Sequence, residues 1–266
     1  MLDRHCVFRT VVVISLMMAF NAPSKAQSGW YGALSSVVKV SRSMTITDEE
    51  LSEAVSSSVK VMDASNTVCG VASPYTRRLN KLTANMKDAK GIRLNFKVYK
   101  TTDFNAFACP DGSVRIYSAL MDLMTDDELL GIIGHEIGYV SLRHSKIAWR
   151  QALLFSAASD AIGSVSETWD DVSNTLIGDL CSAALTARHS RTQETEADDY
   201  GYDFLKKCSK NPWAMGKAFI KLKKMSQQGS DSRYAMLLKA FSSHPDFDER
   251  IQRMRDRSKQ DGYATR

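Results

Sequence analysis

Apolar residues recur at intervals of three and four positions behind Thr125, a pattern that predicts a helix with one buried face. The positions are Leu129, Ile132, Ile133, Ile137, Val140 and Leu142. Thr125 and Glu128 have the spacing of a capping box, and the acidic residues that follow Thr125 suit the positive end of a helix dipole. The stretch 125–151 is therefore the helical segment around which we expect the rest of the chain to be arranged.

Three short strands are predicted directly before this segment. Residues Ile92–Tyr99 alternate apolar and polar side chains, as a half-buried strand does. Asn105–Cys109 and Ser113–Tyr117 are predicted as two more strands, and the Pro110-Asp111-Gly112 turn between them favours an antiparallel hairpin.

The other periodic stretches are helical. Helices are predicted from Leu51, from Tyr75, from near Arg191 and from Trp213, and a last one after Ser243 whose outer face is the charged run Asp248–Arg257. A small sheet among many helices predicts an α+β fold that is mainly helical. A chain of 266 residues with 44% hydrophobic residues can build one sizeable core. Its net charge of +5 is too small and too scattered to indicate a nucleic-acid partner.

The first 26 residues have the pattern of a secretory signal peptide. Arg4 and Arg9 precede an apolar run, Val11–Phe20, and Ser24-Lys25-Ala26 is a plausible cleavage site. A membrane anchor is the alternative, but the apolar run is well short of the roughly 20 residues needed to span a bilayer. We therefore expect a signal peptide over 1–26 and a mature domain over 27–266.

Four cysteines remain after that cleavage: Cys69, Cys109, Cys181 and Cys208. In an exported protein an even number permits disulfides, and at least one bridge is the favoured interpretation, although buried thiols remain the alternative.

His135 and Glu136 lie within the predicted central helix and form the start of the metal-binding pattern His-Glu-x-x-His. In that pattern two histidines one turn apart hold zinc and the glutamate acts as general base. The second histidine position is Tyr139 in this chain. A further ligand would come from a later helix, where Glu194 and Asp198 are four residues apart on one face.

Taken together and in order, the motifs resemble those of the gluzincin metallopeptidases of the CaaX prenyl protease and Oma type, above all its soluble members in the bacterial envelope. The similarity extends over about 98–257. The motifs are Asn105-Ala106-Phe107-Ala108, Tyr117-Ser118-Ala119-Leu120-Met121, Gly134-His135-Glu136-Ile137-Gly138, Glu194-Thr195-Glu196-Ala197-Asp198 and His244-Pro245.

The resemblance implies a zincin-like fold with Zn²⁺ as cofactor and specific roles for the matching positions. His135 and Glu194 match zinc ligands, Glu136 matches the general base, and Asp198 matches a residue that orients a ligand from behind. His244 matches a histidine that in some relatives approaches the metal and restrains activity. The edge strand Asn105–Cys109 matches the strand on which substrate peptides are bound, with Asn105, Ala106, Phe107 and Ala108 as the contacts.

Tyr139 is where the chain departs from this family, which has histidine there. A phenol is a poor ligand at neutral pH unless the metal deprotonates it. We expect His144 to be a surface or packing residue and His189 a solvated loop residue, which leaves His244 as the plausible substitute. Three interpretations remain open: Tyr139 inactivates a peptidase, Tyr139 or His244 completes the site, or the chain is a pseudoprotease that binds peptides.

The sequence as a whole thus predicts a zinc-dependent metalloendopeptidase that cleaves unfolded or damaged proteins in the periplasm or cell envelope. The alternative is an inactive, chaperone-like peptide-binding module. The expected partners are peptides or unfolded proteins, with a peripheral association with the membrane or with envelope machinery as a further option.

Overall fold

The computed structural model describes residues 47–159, 183–185, 187, 189–227, 244 and 246–265. The predicted signal peptide and Cys181 lie outside these residues. Nearly all of the described chain belongs to one compact unit, Thr47–Ala152 with Val172–Arg266, while Leu153–Ser159 belongs to a second unit. No helix in the described ranges is both long enough and apolar enough to cross a membrane.

The described elements follow one another in an order that confirms the mainly helical α+β class. They are α1 Asp48–Ser65, α2 Pro74–Thr83, β1 Asp88–Ala89, β2 Ile92–Arg93, β3 Asn95–Tyr99, β4 Ala106–Ala108, β5 Ser113–Tyr117, α3 Ser118–Leu123, α4 Asp126–Ser141, α5 His144–Ser159, α6 Arg191–Lys207, α7 Trp213–Gln227 and α8 Phe247–Gln260.

The main sheet has three strands in the order β3-β5-β4, so β4 lies at one edge. β4 and β5 form the predicted antiparallel hairpin, whereas β3 runs parallel to β5. The single strand predicted over Ile92–Tyr99 is instead two strands, because β2 pairs with β1 in a small separate sheet and β3 begins at Asn95. Gly112 enables the hairpin turn: its φ is +85°, and a Cβ there would lie 2.1 Å from the Arg93 carbonyl oxygen.

Helix α4 begins with the predicted capping box, since Thr125 accepts from the Glu128 amide and Glu128 accepts from the Thr125 amide. The predicted helical stretch does not continue unbroken to position 151. It ends at Ser141, Arg143 takes a left-handed φ of 62°, and α5 begins at His144. This break turns the chain, so the face of His144 does not follow from helical spacing after His135.

A partly buried ion cluster joins α1 to the sheet. Arg115 on β5 is 2% exposed, and its guanidinium donates two hydrogen bonds to the carboxylate of Asp63, at 2.8 and 3.0 Å. Lys97 and Tyr99 on β3 donate to the same carboxylate, each at 2.7 Å. Burial tends to raise the pKa of Asp63, but these donors outweigh it and hold the pKa at about 2.

The described cysteines do not meet the expectation of a disulfide. No bridge joins Cys69, Cys109 and Cys208 to one another, and Cys109 is fully buried at the end of the hairpin strand.

Candidate active site

Helices α4 and α6 pack closely enough to bring their polar side chains together. A Cβ on Gly134 would lie 2.7 Å from the Phe204 ring, and one on Gly138 would lie 3.0 Å from Tyr200. On the facing helix, a Cβ on Gly201 would lie 3.1 Å from the backbone nitrogen of His135. Because these positions lack side chains, the two helix backbones approach directly and His135 can reach the carboxylates of α6.

His135 is buried and its two ring nitrogens face different groups. Nδ1 lies 2.9 Å from Asp198 Oδ1, and Nε2 lies 3.9 Å from Glu194 Oε2. Nε2 is buried and has no hydrogen-bond partner among the residues described. A carboxylate against Nδ1 favours the tautomer with the proton there, which leaves a lone pair on Nε2 for a metal ion.

Glu194 contacts several of the other polar side chains of the site. Its Oε1 accepts a short hydrogen bond from the Tyr139 hydroxyl and lies 3.0 Å from His244 Nδ1. Burial would raise the pKa of Glu194, but the positive charges of His244 and Arg250 outweigh it, so the pKa lies well below its ordinary value. Glu194 is therefore a carboxylate at neutral pH.

Tyr139 occupies the second ligand position of the motif as a neutral phenol. Its side chain is buried, and burial together with the charge of Glu194 raises its pKa above the ordinary value. Its hydroxyl donates to Glu194 and lies 3.1 Å from His244 Nδ1. In this arrangement Tyr139 acts as a hydrogen-bond donor to Glu194, and His244 lies beside both side chains.

Every histidine that follows His5 packs against Tyr139. The ring centroids of His135, His144, His189 and His244 lie 4.8, 5.9, 4.3 and 5.5 Å from that of Tyr139. His189 lies in the loop before α6, as predicted, but it stacks on the tyrosine ring and is partly buried rather than solvated. Burial and the charge of His244 lower the pKa of His189 to about 3, which leaves the ring neutral. His144 is buried and lies 2.9 Å from Glu196, in the packing role that was one of its two predicted roles.

Glu136 lies on the same helix and lines a cavity that the sheet edge and α5 border. Burial raises its pKa above the ordinary value of a glutamate. The cavity lining includes all four predicted peptide contacts together with Glu136, Tyr139 and His244: Asn105, Ala106, Phe107, Ala108, Glu136, Tyr139, Ser145, Ala148, Trp149, Ala184, Leu185, His189 and His244. The edge strand and the candidate base thus border one space.

Arg250 is a site residue that the sequence interpretation missed. The charged run of α8 was expected on its outer face, but Arg250 is 5% exposed and points inward. Its guanidinium donates two hydrogen bonds to Asp198, at 2.8 and 2.7 Å, and lies 2.7 Å from Glu194 Oε2. The signal was available, because Arg250 falls in the helical stripe formed by Phe247, Ile251 and Met254.

These donors fit a metal ion. One ligand atom from each of His135, Glu194 and His244 lies within 4.8 Å of the others. Two imidazoles and one carboxylate form the protein ligand set of many catalytic zinc sites, which keep a further position open for water. The unpartnered Nε2 of His135 is the atom that such an ion would satisfy.

The family model for Peptidase family M48 matches residues 74–258. The metalloprotease YcaL of Escherichia coli (strain K12) is 35% identical over 226 residues, which cover 85% of this chain and 86% of YcaL. The metalloprotease LoiP of the same strain is 34% identical, with 87% of this chain and 89% of LoiP covered. The beta-barrel assembly-enhancing protease of Yersinia pestis is 30% identical over 68% of this chain and 37% of that protein.

Proposed function

The chain belongs to peptidase family M48, and on that basis we propose that it is a zinc-dependent metalloendopeptidase. His135, Glu194 and His244 hold the metal ion, and Glu136 is the general base. Tyr139 is not a ligand in this proposal and keeps Glu194 in place through its hydroxyl. Asp198 orients His135.

The observation that carries the proposal is the convergence of these three ligands beside a buried glutamate and a sheet edge. The ligand atoms of His135, Glu194 and His244 lie within 4.8 Å of one another. Glu136 and strand β4 border the cavity that His244 also lines. A metallopeptidase needs a metal site, a base and a surface for extended peptide in one place, and these elements supply a candidate for each.

When bound, zinc supplies Lewis acidity toward the scissile carbonyl and toward a water molecule. Glu136 takes a proton from that water and returns it to the leaving amine. In the metal-free protein burial raises the pKa of Glu136, so this side chain takes up a proton more readily than an exposed glutamate does.

Residues Asn105, Ala106, Phe107 and Ala108 bind the substrate in this proposal. Among the described residues β4 pairs with β5 on one side and with no strand on the other, so an extended peptide can add there as a further strand. Main-chain hydrogen bonds of this kind require an unfolded segment and depend little on its side chains. Unfolded or damaged proteins of the bacterial envelope are therefore the proposed substrates, and the periplasm is the proposed location after removal of residues 1–26.

The test is zinc content per chain and casein cleavage, measured on purified 27–266. Three proteins are compared: the unmodified chain, Glu136→Gln and Tyr139→His. We expect near-stoichiometric zinc in all three and cleavage in all but Glu136→Gln, because the amide cannot accept the proton of water.

Two other results would contradict the proposal for the unmodified chain. Zinc and cleavage confined to Tyr139→His would mean a peptidase scaffold silenced at one ligand. Absence of both from every protein would leave a peptide-binding module, which should still bind unfolded casein.

A further inference from the structure

Arg250 is held in place on several sides. Its guanidinium stacks 4.3 Å from the centroid of the Phe219 ring on α7. It contacts two carboxylates of α6, with two hydrogen bonds to Asp198 and one ion pair to Glu194 Oε2. A planar guanidinium in this position fixes the orientation of both carboxylates, which a flexible ammonium would not do.

The contacts divide the two oxygens of Glu194 between different neighbours. Oε2 lies 2.7 Å from Arg250 Nη1 and 3.9 Å from His135 Nε2. Oε1 faces Tyr139 and His244, and it lies 3.0 Å from His244 Nδ1. Oε2 is therefore the oxygen that carries the ion pair to Arg250, whereas Oε1 is the oxygen directed toward His244.

We propose that Arg250 is a positioning residue: it keeps Oε2 of Glu194 in an ion pair, so that this glutamate binds the metal through Oε1 alone. The inference rests on the proposed metal site. Through Asp198 the same guanidinium also fixes His135, so one side chain from α8 orients two of the ligands. A carboxylate that binds through one oxygen leaves a coordination position for the water on which Glu136 acts.

The experiment is cobalt substitution of the unmodified chain, Arg250→Lys and Arg253→Lys. Cobalt(II) reports its coordination number through its visible absorption, which is intense for four ligands and weak for five or six. Zinc affinity is measured in parallel by competition with a chelator. Arg253 is the matched control, because it lies on the same helix but contacts Thr195 and Asp199 rather than the ligands.

We expect a four-coordinate spectrum for the unmodified chain and for Arg253→Lys. Arg250→Lys keeps the positive charge but loses the planar fork, so Glu194 can turn and bind through both oxygens. Its spectrum should weaken toward that of five-coordinate cobalt, and its zinc affinity should fall about tenfold or more.

X-ray absorption of the zinc-loaded unmodified chain decides the question independently of how well Arg250→Lys folds. A single carboxylate oxygen of Glu194 at about 2.0–2.2 Å from the zinc, with its second oxygen not bound, supports the inference. Two bound oxygens, or a spectrum and affinity that Arg250→Lys leaves unchanged, would overturn it while the metal site stands. An unmodified chain that binds neither cobalt nor zinc would overturn the metal site itself and this inference with it.

Discussion

Arg115 and Arg250 are both buried, and the groups around them differ in charge. At the sheet, one carboxylate, Asp63, is shared by Arg115 and Lys97, so positive charge is in excess. At the candidate active site, three carboxylates are buried, those of Glu136, Glu194 and Asp198. Arg250 is the one lysine or arginine that forms ion pairs with them among the residues described.

The difference separates a structural cluster from a functional one. The Asp63 carboxylate receives hydrogen bonds from Arg115, Lys97 and Tyr99, so its demand for partners is met within the protein. The active-site carboxylates outnumber Arg250 and depend also on the positive charge of His244, and His135 Nε2 has no described partner. Buried carboxylates in excess of the arginine are unfavourable unless further positive charge, from His244 or from a metal ion, joins them. The sheet cluster stabilises the fold, whereas the other cluster favours a bound metal.

The largest expected effect on stability is that of Asp63→Asn. The change leaves Arg115 as a buried cation without its anionic partner, which should cost about 3–5 kcal/mol of unfolding free energy. Urea unfolding measures it, with Asp256→Asn as the control because Asp256 is exposed and should change stability by less than about 0.5 kcal/mol. Equal stability of the two variants would show that the sheet cluster is not structural.

At the other cluster the same change of carboxylate to amide should act mainly on metal binding. Glu194→Gln should weaken zinc binding about 100-fold, equivalent to roughly 2.7 kcal/mol, because a charged ligand is lost. The unfolding free energy without metal should fall by less than in Asp63→Asn, because Arg250 keeps Asp198 as its partner when the charge of Glu194 is removed.

Chelator competition and urea unfolding measure the two quantities for Glu194→Gln. Glu196→Gln is the control, because Glu196 lies on the same helix and contacts His144 instead. A stability loss in Glu194→Gln as large as that of Asp63→Asn would remove the distinction between the clusters.

Acid should weaken the sheet cluster over a defined range. The pKa of Asp63 is about 2 in the folded protein, below its ordinary value of 3.8. A carboxyl whose pKa is lower in the folded than in the unfolded protein stabilises the fold at any pH above its unfolded pKa. That contribution to the unfolding free energy is lost as the pH falls toward the folded pKa, and for Asp63 the loss is about 2 kcal/mol between about pH 4 and pH 2. The stability gap between the unmodified chain and Asp63→Asn should therefore narrow in acid, and a gap independent of pH would contradict the assignment.

The smallest expected effect is that of Lys97→Met. The Lys97 side chain is 40% exposed, so water screens its ion pair with Asp63. Lys97→Met should lower the unfolding free energy, measured with urea, by less than about 1 kcal/mol, because Arg115 remains as the main partner of Asp63. A loss of unfolding free energy near that of Asp63→Asn would mean that Asp63 needs both Arg115 and Lys97 to stabilise the fold.

Much of the fold could be predicted from the sequence because its signals are local. The capping box at Thr125, the hairpin around Gly112 and the apolar stripes depend on residues close together in the chain. Some local features were nevertheless not predicted. The Ile92–Tyr99 strand is divided because β2 pairs with the neighbouring β1, and the position of His144 depends on the left-handed conformation of Arg143, neither of which the apolar pattern indicates.

The sequence by itself determined the residue types and spacings of the site: His135 and Glu136 on one helix, Glu194 and Asp198 one turn apart on another, and Tyr139 where the family has histidine. Only the tertiary structure decided how that departure is accommodated. His244 approaches Glu194, His189 stacks on Tyr139, and Arg250 holds two carboxylates. These side chains come from segments far apart in the chain, and their meeting depends on how closely the helices pack at glycines, which no local pattern encodes.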